Sequence, residues 1–261
     1  MAKFSANLTM LFTELPFLDR FSAARRAGFR GVEYVSPYEF YPGDISDRLK
    51  ANRLQQVLFN LPVGNWDAGE RGIAIFSERR DEFRDGIATA ARYAKALGCP
   101  QVNCLAGIAQ TGSDPDELRA TLVENLRFAS AELGREGIRL LIEPINTRDM
   151  PGFFLNTSAQ ALALIADVAS PNLFVQYDVY HMHIMECVAR ETLSRNLELI
   201  KHIQIADHPG RHEPGSGEIA YAGILKHIDG IGYDGWIGAE YKPAGTTSDG
   251  LGWMQTFGAA G

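Results

Sequence analysis

The sequence predicts an α/β fold, a single (β/α)8 TIM barrel that occupies residues 1–261 as one domain. Short apolar runs alternate with amphipathic helical stretches along the whole chain, which is the pattern of parallel βαβ units. Eight such units fit a chain of 261 residues, since barrels of this kind have about 250 residues. No low-complexity stretch or long linker divides the chain.

Strands are predicted at eight apolar runs of a length typical for β-strands. These runs cover residues 4–8, 31–35, 56–61, 101–105, 140–145, 173–179, 202–206 and 236–241.

Helices are predicted between the strands. Residues 78–97 repeat alanine and large apolar residues at three- and four-residue spacing, and Gly98 follows as a natural helix end. Residues 114–133 show the same spacing and are expected to stop at Gly134. The second of these helices should begin at Asp114, where a capping side chain, Pro115 and acidic residues coincide.

A doubly wound open sheet is the main alternative fold. That fold usually carries a glycine-rich phosphate turn after its first strand, but residues 8–12 contain no glycine. Gly215 and Gly217 form a Gly-x-Gly pattern in a late loop without the third glycine of a nucleotide-binding motif. The sequence therefore predicts a closed barrel without a nucleotide cofactor.

Composition excludes several functional classes. The net charge of −7 and the lack of a basic block argue against a nucleic-acid partner. No uncharged apolar run reaches the roughly 18 residues of a membrane span, and residues 1–4 show no start of a secretion signal. Cys99, Cys104 and Cys187 lack metal-ligand spacing, so we expect reduced thiols and a cytoplasmic location. A homo-oligomer is compatible with this fold, but the sequence has no interface signature.

Polar side chains interrupt the last four predicted strands near their carboxyl ends. They are Glu143, Asp178, Gln204 and Glu240. Function in a barrel lies at this end of the strands, so the four groups should converge on one point. Three carboxylates and an amide oxygen suit a hard divalent ion, Mg²⁺ or Mn²⁺, better than zinc. Each of the three acids, taken alone, could instead cap a helix or form an ion pair. The alternative role of Gln204 is that of a buried amide that hydrogen-bonds to its neighbours.

Three further residues are candidates for binding a substrate carboxylate. Lys242 shares the strand face of Glu240, and its alternative role is an ion pair with a ligand carboxylate. Arg211 lies in the loop after the seventh strand, as a carboxylate clamp or a solvated charge. His181 follows Asp178 by three residues and is expected to contact substrate oxygens, or the carboxylate if it is protonated. His202 is expected to be a hydrogen-bonded core histidine.

The connection at residues 61–72 is long for a βα loop. Trp66, between glycines, indicates a lid that excludes water. Glu70 and Arg71 in this loop are expected to pair with each other.

At its strand ends the chain resembles the hydroxypyruvate isomerase family, within the xylose-isomerase-like barrel superfamily. The resemblance runs almost from end to end of the chain. Its strings include Asn60-Leu61-Pro62, Gly69-Glu70-Arg71-Gly72, Ile142-Glu143-Pro144-Ile145-Asn146, Gln176-Tyr177-Asp178-Val179-Tyr180-His181-Met182, Gln204-Ile205-Ala206-Asp207 and Glu240-Tyr241-Lys242-Pro243.

The resemblance implies an aldose–ketose isomerase that interconverts hydroxypyruvate and 2-hydroxy-3-oxopropanoate (tartronate semialdehyde) by metal-assisted proton transfer through an enediolate. It implies a divalent metal on Glu143, Asp178, Gln204 and Glu240, with Glu143 and Glu240 as proton donor and acceptor. No nicotinamide, flavin or pyridoxal phosphate is expected, because the reaction has no net redox change. The partner is a small hydroxy or oxo acid.

Other functions stay open at this point. The similar 2-oxo-tetronate isomerases share these motifs, and ketose 3-epimerases and metal-dependent endonucleases are built on the same fold. A catalytically inactive barrel that binds sugar acids is the alternative outside the enzymes. The net charge of −7 disfavours the endonuclease, which needs a cationic groove.

Overall fold

The computed structural model describes residues 2–257, so Met1 of the N-terminal segment and residues 258–261 of the predicted domain lie outside the described residues. Eight parallel strands form one sheet. They are β1 (Lys3–Asn7), β2 (Gly31–Tyr34), β3 (Gln55–Phe59), β4 (Gln101–Cys104), β5 (Arg139–Ile142), β6 (Leu173–Asp178), β7 (Ile200–Ile205) and β8 (Trp236–Ala239).

The sheet curves into a nearly closed barrel. Its strand order is β3-β2-β1-β8-β7-β6-β5-β4, which leaves β3 and β4 at the two ends. An isolated parallel bridge between Asn60 and Asn103 joins these ends, and the Leu61 amide donates to the Asn103 carbonyl over 2.8 Å. The predicted TIM barrel is therefore confirmed, and the open doubly wound sheet is excluded.

Helices surround the barrel between successive strands. The α-helices of the described residues are α1 (Phe17–Arg26), α2 (Pro42–Asn52), α3 (Arg80–Leu97), α4 (Pro115–Arg135), α5 (Ser158–Val168), α6 (Val179–Met185), α7 (Ala189–Arg195), α8 (Tyr221–Gly230) and α9 (Gly252–Thr256). Within residues 2–257, no helix combines the length and the apolar character needed to cross a bilayer.

The helix ends follow local chemistry. Asp114 caps α4 by accepting a 2.9 Å hydrogen bond from the Asp116 amide, as the sequence predicts. Gly98 ends α3 with a left-handed φ of 63°. The expected stop at Gly134 is wrong, because α4 continues to Arg135 and the left-handed turn falls on Gly137, where φ is 72°.

Two strands near the site end earlier than predicted. The structure ends β5 at Ile142 and β8 at Ala239, where the predictions extended to residues 145 and 241. In the first case Pro144 has no N–H with which to continue the ladder. Glu143 and Glu240 are consequently the first residues beyond their strands, while Asp178 is the last residue of β6.

Candidate active site

Four side chains converge at the carboxyl end of the barrel. Glu143, Asp178, His181 and Glu240 each offer one potential ligand atom, and these atoms all lie within 4.8 Å of one another. We call this group the carboxylate cluster. Three of its members are buried, and Glu240 is partly exposed.

Asp178 is held by the helix that follows it. Its Oδ1 accepts hydrogen bonds from the amides of Tyr180 (2.7 Å) and His181 (3.3 Å), so it caps the N-terminus of α6. This capping orients the second oxygen, Oδ2, toward His181 Nε2 at 3.5 Å and Arg211 Nη2 at 3.6 Å. The strand-to-helix junction thus fixes both Asp178 and His181 in the cluster.

Neighbouring side chains orient the two glutamates. Asn103 Nδ2 donates to Glu143 Oε2 over 3.0 Å. Asn7 Nδ2 donates to Glu240 Oε1 over 2.9 Å, and Arg211 Nη2 donates to Glu240 Oε2 over 2.5 Å. Each glutamate therefore has a fixed geometry, supplied by Asn103 on β4, Asn7 on β1 and Arg211 in the loop after β7.

Arg211 is part of this arrangement and not a solvated loop charge. Its side chain is 18% exposed and pairs with Glu240 and Asp178. Its guanidinium carbon lies 5.3 Å from the centre of the Tyr180 ring. The solvated alternative for Arg211 is therefore wrong, and the residue provides a buried positive charge at the cluster.

The electrostatics of the cluster favour a cation. Burial raises the pKa of Glu143, and the negative charges of Glu240 and Asp178 raise it further. Burial also raises the pKa values of Asp178 and Glu240, against the opposing charge of Arg211. Asp178 Oδ2 is buried and accepts no hydrogen bond from residues 2–257. Three crowded carboxylates with an unsatisfied oxygen fit a divalent cation bound through oxygen atoms.

His181 is buried beside the carboxylates of the cluster. Burial, and secondarily the charge of Arg211, lower its pKa well below the usual value. Its Nδ1 lies 2.6 Å from Asn146 Nδ2, which donates to it. The role of His181 in substrate binding stays a prediction, and the lowered pKa favours a contact with a substrate oxygen over a contact that depends on ring charge.

Gln204 is paired in register with Asp178 on the neighbouring strand, and both of its amide atoms already have partners. Its Oε1 accepts a 2.5 Å hydrogen bond from Gln176 Nε2, and its Nε2 donates to Glu33 Oε1 over 2.8 Å. It shares the lining of a cavity of about 20 Å³ with Glu143 and Glu240. This environment matches the alternative role of Gln204 as a buried, hydrogen-bonded amide. Its role as a metal ligand stays a prediction.

A buried network below the cluster was missed by the sequence reasoning. Glu33 is fully buried and accepts hydrogen bonds from Ser5 Oγ (2.7 Å) and Gln204 Nε2 (2.8 Å). His202 is buried as expected and its Nε2 lies 2.8 Å from Glu33 Oε2, but neither ring nitrogen meets hydrogen-bond geometry with residues 2–257. Burial opposes ionisation of Glu33, but the His202 charge and these hydrogen bonds lower its pKa overall. The available signal was a lone acid within the apolar run of β2.

A cavity of about 720 Å³ opens above the cluster, and we call it the mouth cavity. Its lining includes His181, Arg211 and three further cationic side chains, Arg71, Arg148 and Lys242. Lys242 is exposed at the rim. The excess of positive charge makes the mouth cavity suited to a small anionic ligand.

The loop at residues 61–72 contributes to this cavity. Trp66 lines it and is 41% exposed. The Arg71 guanidinium stacks 3.6 Å from the Trp66 ring centre, while Glu70 pairs with Arg79 at 2.5 Å. The expected pairing of Glu70 with Arg71 is therefore wrong, because Arg71 is turned toward the tryptophan and the cavity.

Comparison with known proteins agrees with this architecture. A family model described as the xylose isomerase-like TIM barrel matches residues 21–257. Hydroxypyruvate isomerase from Escherichia coli (strain K12) is 51% identical over 98% of this chain and 100% of its own length. A 2-oxo-tetronate isomerase from Cupriavidus necator is 46% identical over 98% and 99%. The chain belongs to the xylose isomerase-like TIM barrel family.

Solved structures show the same fold. The crystal structure of an AP endonuclease, family 2, from Brucella melitensis has a TM-score of 0.96 and 43% identity, covering 98% of this chain and 99% of its own. A 3-keto-D-glucoside 4-epimerase from E. coli has a TM-score of 0.80 at 20% identity, over 98% and 99%, which shows the fold alone. The full-length relatives named as isomerases confirm the prediction that the chain is an isomerase.

Proposed function

We propose that this isomerase interconverts hydroxypyruvate and 2-hydroxy-3-oxopropanoate. The observation that carries the proposal is the convergence of two oriented glutamates, Glu143 and Glu240, with Asp178 and His181 within 4.8 Å, next to a cationic mouth cavity. The similarity to the E. coli hydroxypyruvate isomerase supports the choice of a three-carbon acid.

Glu143 and Glu240 would move the proton. One carboxylate takes a proton from the carbon that bears the hydroxyl group, and the other carboxyl group returns a proton to the neighbouring carbonyl carbon. The hydroxyl proton passes to the former carbonyl oxygen, so that atoms and charge balance. Burial raises the pKa values of both glutamates, whereas a bound cation would favour their charged forms, in which a spare carboxylate oxygen can take the substrate proton. The hydrogen bonds from Asn103 and Asn7 hold the two groups in place during this exchange.

The residues proposed to hold a divalent cation, Mg²⁺ or Mn²⁺, are Glu143, Asp178, Gln204 and Glu240. The unsatisfied Asp178 Oδ2 supports this set, and Gln204 Oε1 would exchange its hydrogen bond from Gln176 for the cation. When bound, such an ion would polarise the carbonyl and hydroxyl oxygens of the substrate and so stabilise the enediolate.

Arg211 and Lys242 are proposed to bind the substrate carboxylate, and His181 to bind a substrate oxygen. The Arg211 Nε–H is buried and makes no hydrogen bond to the described part of the chain, so this donor is free for a ligand. Arg211 can therefore keep its contact with Glu240 while it donates to the incoming acid. Lys242 adds charge at the rim of the mouth cavity.

An NMR assay of the full chain tests this proposal. Hydroxypyruvate and a 2-oxo-tetronate are incubated separately, with chelator and then with Mg²⁺ or Mn²⁺ restored. We expect hydroxypyruvate to convert to the aldehyde form faster than the four-carbon acid reacts, and only when metal is present. Lack of conversion of hydroxypyruvate by metal-replete enzyme, or full activity after verified metal removal, contradicts the proposal.

The same assay separates the alternatives. Faster turnover of the 2-oxo-tetronate indicates the isomerase named for the Cupriavidus relative, and epimerisation of six-carbon ketoses indicates a 3-epimerase. Saturable binding without turnover indicates a sugar-acid-binding barrel. Cleavage of DNA at abasic sites would support the activity named for the Brucella structure, which the net charge of −7 disfavours.

We further propose that residues 1–261 act as one domain in the cytoplasm, with a small-molecule partner and no nucleic-acid or membrane partner. Cys99 and Cys104 are buried free thiols, which supports a reducing location. Native mass spectrometry would establish whether the chain is a homo-oligomer.

A further inference from the structure

We propose that His183, His208 and Glu218 form a second metal site, specific for a zinc-type transition metal, beside the mouth cavity. One potential ligand atom of each residue lies within 4.8 Å of the other two. Glu218 Oε1 is 3.1 Å from His183 Nε2 and 2.9 Å from His208 Nδ1. We call these three residues the histidine cluster.

The histidine cluster is distinct from the carboxylate cluster. His183 lies on α6, one helical position beyond the core-facing His181 and Met182, while His208 and Glu218 lie in the loop between β7 and α8. His208 lines the mouth cavity, whereas His183 and Glu218 line a neighbouring groove of about 470 Å³. The cluster therefore separates two solvent-connected spaces, and a metal ion can reach it from the groove.

The ligand set and its spacing suit zinc. Two imidazoles and one carboxylate are a common zinc ligand set, whereas Mg²⁺ prefers oxygen ligands. Tetrahedral ligands at zinc bond lengths of about 2.0–2.1 Å stand roughly 3.3 Å apart. The two donor separations of 3.1 Å and 2.9 Å are close to this value, so a small outward adjustment of the rings admits the ion. Exposed Glu218 leaves room for water as the fourth ligand.

Metal binding at this place changes the tautomer of His208. Without an ion, Nδ1–H donates to Glu218, and the bare Nε2 accepts from Arg148 Nη1 at 3.1 Å. A metal ion bound to His208 Nδ1 requires the ring proton to move to Nε2. The Nε2–H then faces the N–H donor of Arg148, and two donors cannot share a hydrogen bond. Each neutral histidine keeps one proton, so none is released to solvent. Metal binding thus breaks the His208–Arg148 hydrogen bond and frees Arg148, a residue that lines the mouth cavity.

Equilibrium dialysis of the full chain tests the site. Protein held in excess Mg²⁺ is titrated with Zn²⁺, and bound zinc is counted by metal analysis. We expect His183→Gln and Glu218→Gln each to bind zinc at this site at least tenfold more weakly than wild type. At zinc concentrations that saturate the wild-type site, each variant should therefore bind one zinc equivalent fewer. His227→Gln is the matched control, because His227 is a surface histidine outside the cluster that contacts Ser194 and the Arg190 carbonyl. It should bind as much zinc as wild type.

A gain-of-function variant tests the tautomer coupling. Arg148→Gln removes a positive charge and the hydrogen bond that holds His208 in its metal-free tautomer, so zinc affinity should rise about fivefold. Visible absorption of Co²⁺ at the site, displaced by Zn²⁺, gives an independent readout, and circular dichroism verifies folding.

Equal zinc stoichiometry and affinity in wild type, His183→Gln and Glu218→Gln would overturn the site. Loss of the same equivalent in His227→Gln would also overturn it. Unchanged or weaker zinc binding by Arg148→Gln would overturn the coupling to Arg148.

Discussion

Replacing Glu33 with glutamine tests how a buried charge supports both the barrel and the cluster above it. Glu33 is fully buried and accepts hydrogen bonds from Ser5 and Gln204, and it faces His202 at 2.8 Å. Glutamine has the same shape, and its NH₂ group can still meet the His202 ring. The substitution therefore removes mainly the charge.

The expected loss of stability follows from these contacts. Hydrogen bonds to a charged group contribute about 1.5–3 kcal/mol each, and glutamine keeps weaker neutral versions of them. We expect Glu33→Gln to lower the free energy of unfolding by about 3 kcal/mol. For a chain of this size the melting temperature should fall by roughly 6–12 °C. Activity should fall about tenfold, because the uncharged amide oxygen accepts more weakly from Gln204 and from Asn7, which also donates to Glu240.

Urea denaturation followed by circular dichroism measures the effect. Ser5→Ala is the matched control, since it removes one hydrogen bond to Glu33 and leaves the charge, and it should cost about half as much. A Glu33→Gln protein within about 0.5 kcal/mol of wild type and with full activity would refute the reasoning, because that is the range of neutral surface changes.

Three further predictions concern the loop cation, a helix cap and pH. Arg211→Lys keeps a charge but loses the planar fork that reaches Glu240, so kcat/KM for the acid substrate should fall by about 10²-fold, and wild-type kinetics would contradict this role. Asp114→Ala should cost about 1 kcal/mol in urea denaturation with kcat unchanged; an unchanged midpoint would contradict the cap. The pKa of Glu33 is lower in the folded protein than in the unfolded chain, where it is about 4.3. The contribution of the Glu33 charge to stability is therefore complete above about pH 4.3 and is lost as the pH falls through the pKa of the folded state. The stability difference between wild type and Glu33→Gln should therefore shrink in acid, and a constant difference would contradict it.

The fold could be predicted because local patterns of apolar residues and turn residues mark its strands and helices. Each strand of the barrel overlaps its predicted run, since apolar runs bounded by turns mark buried parallel strands. Boundaries were less predictable. Pro144 ends β5 early, and α4 passes through Gly134 because the left-handed turn falls at Gly137.

The site residues that stand at the carboxyl ends of strands could be predicted from the sequence. The residues whose roles depend on contacts with side chains far away in the sequence could not. The sequence placed Glu143, Asp178 and Glu240 at carboxyl ends of neighbouring strands, and their side chains meet there. The role of Glu33 depends on Gln204, which is separated from it by 171 positions along the chain. No local pattern encodes such a contact. The pairing of Glu70 with Arg79 was missed for a similar reason, since the loop conformation decides which cation is nearest.

Hydrogen exchange at the substrate carbons tests the central claim most directly. Hydroxypyruvate is incubated in D₂O with metal-replete wild type, Glu143→Gln and Glu240→Gln, and NMR follows deuterium at the carbon that bears the hydroxyl group. We predict enzyme-dependent deuterium incorporation by wild type and a decrease of about 10³-fold or more in turnover for each variant, with folding intact. Isomerisation without exchange by wild type, or near-normal turnover in either variant, would contradict proton transfer by this pair of glutamates.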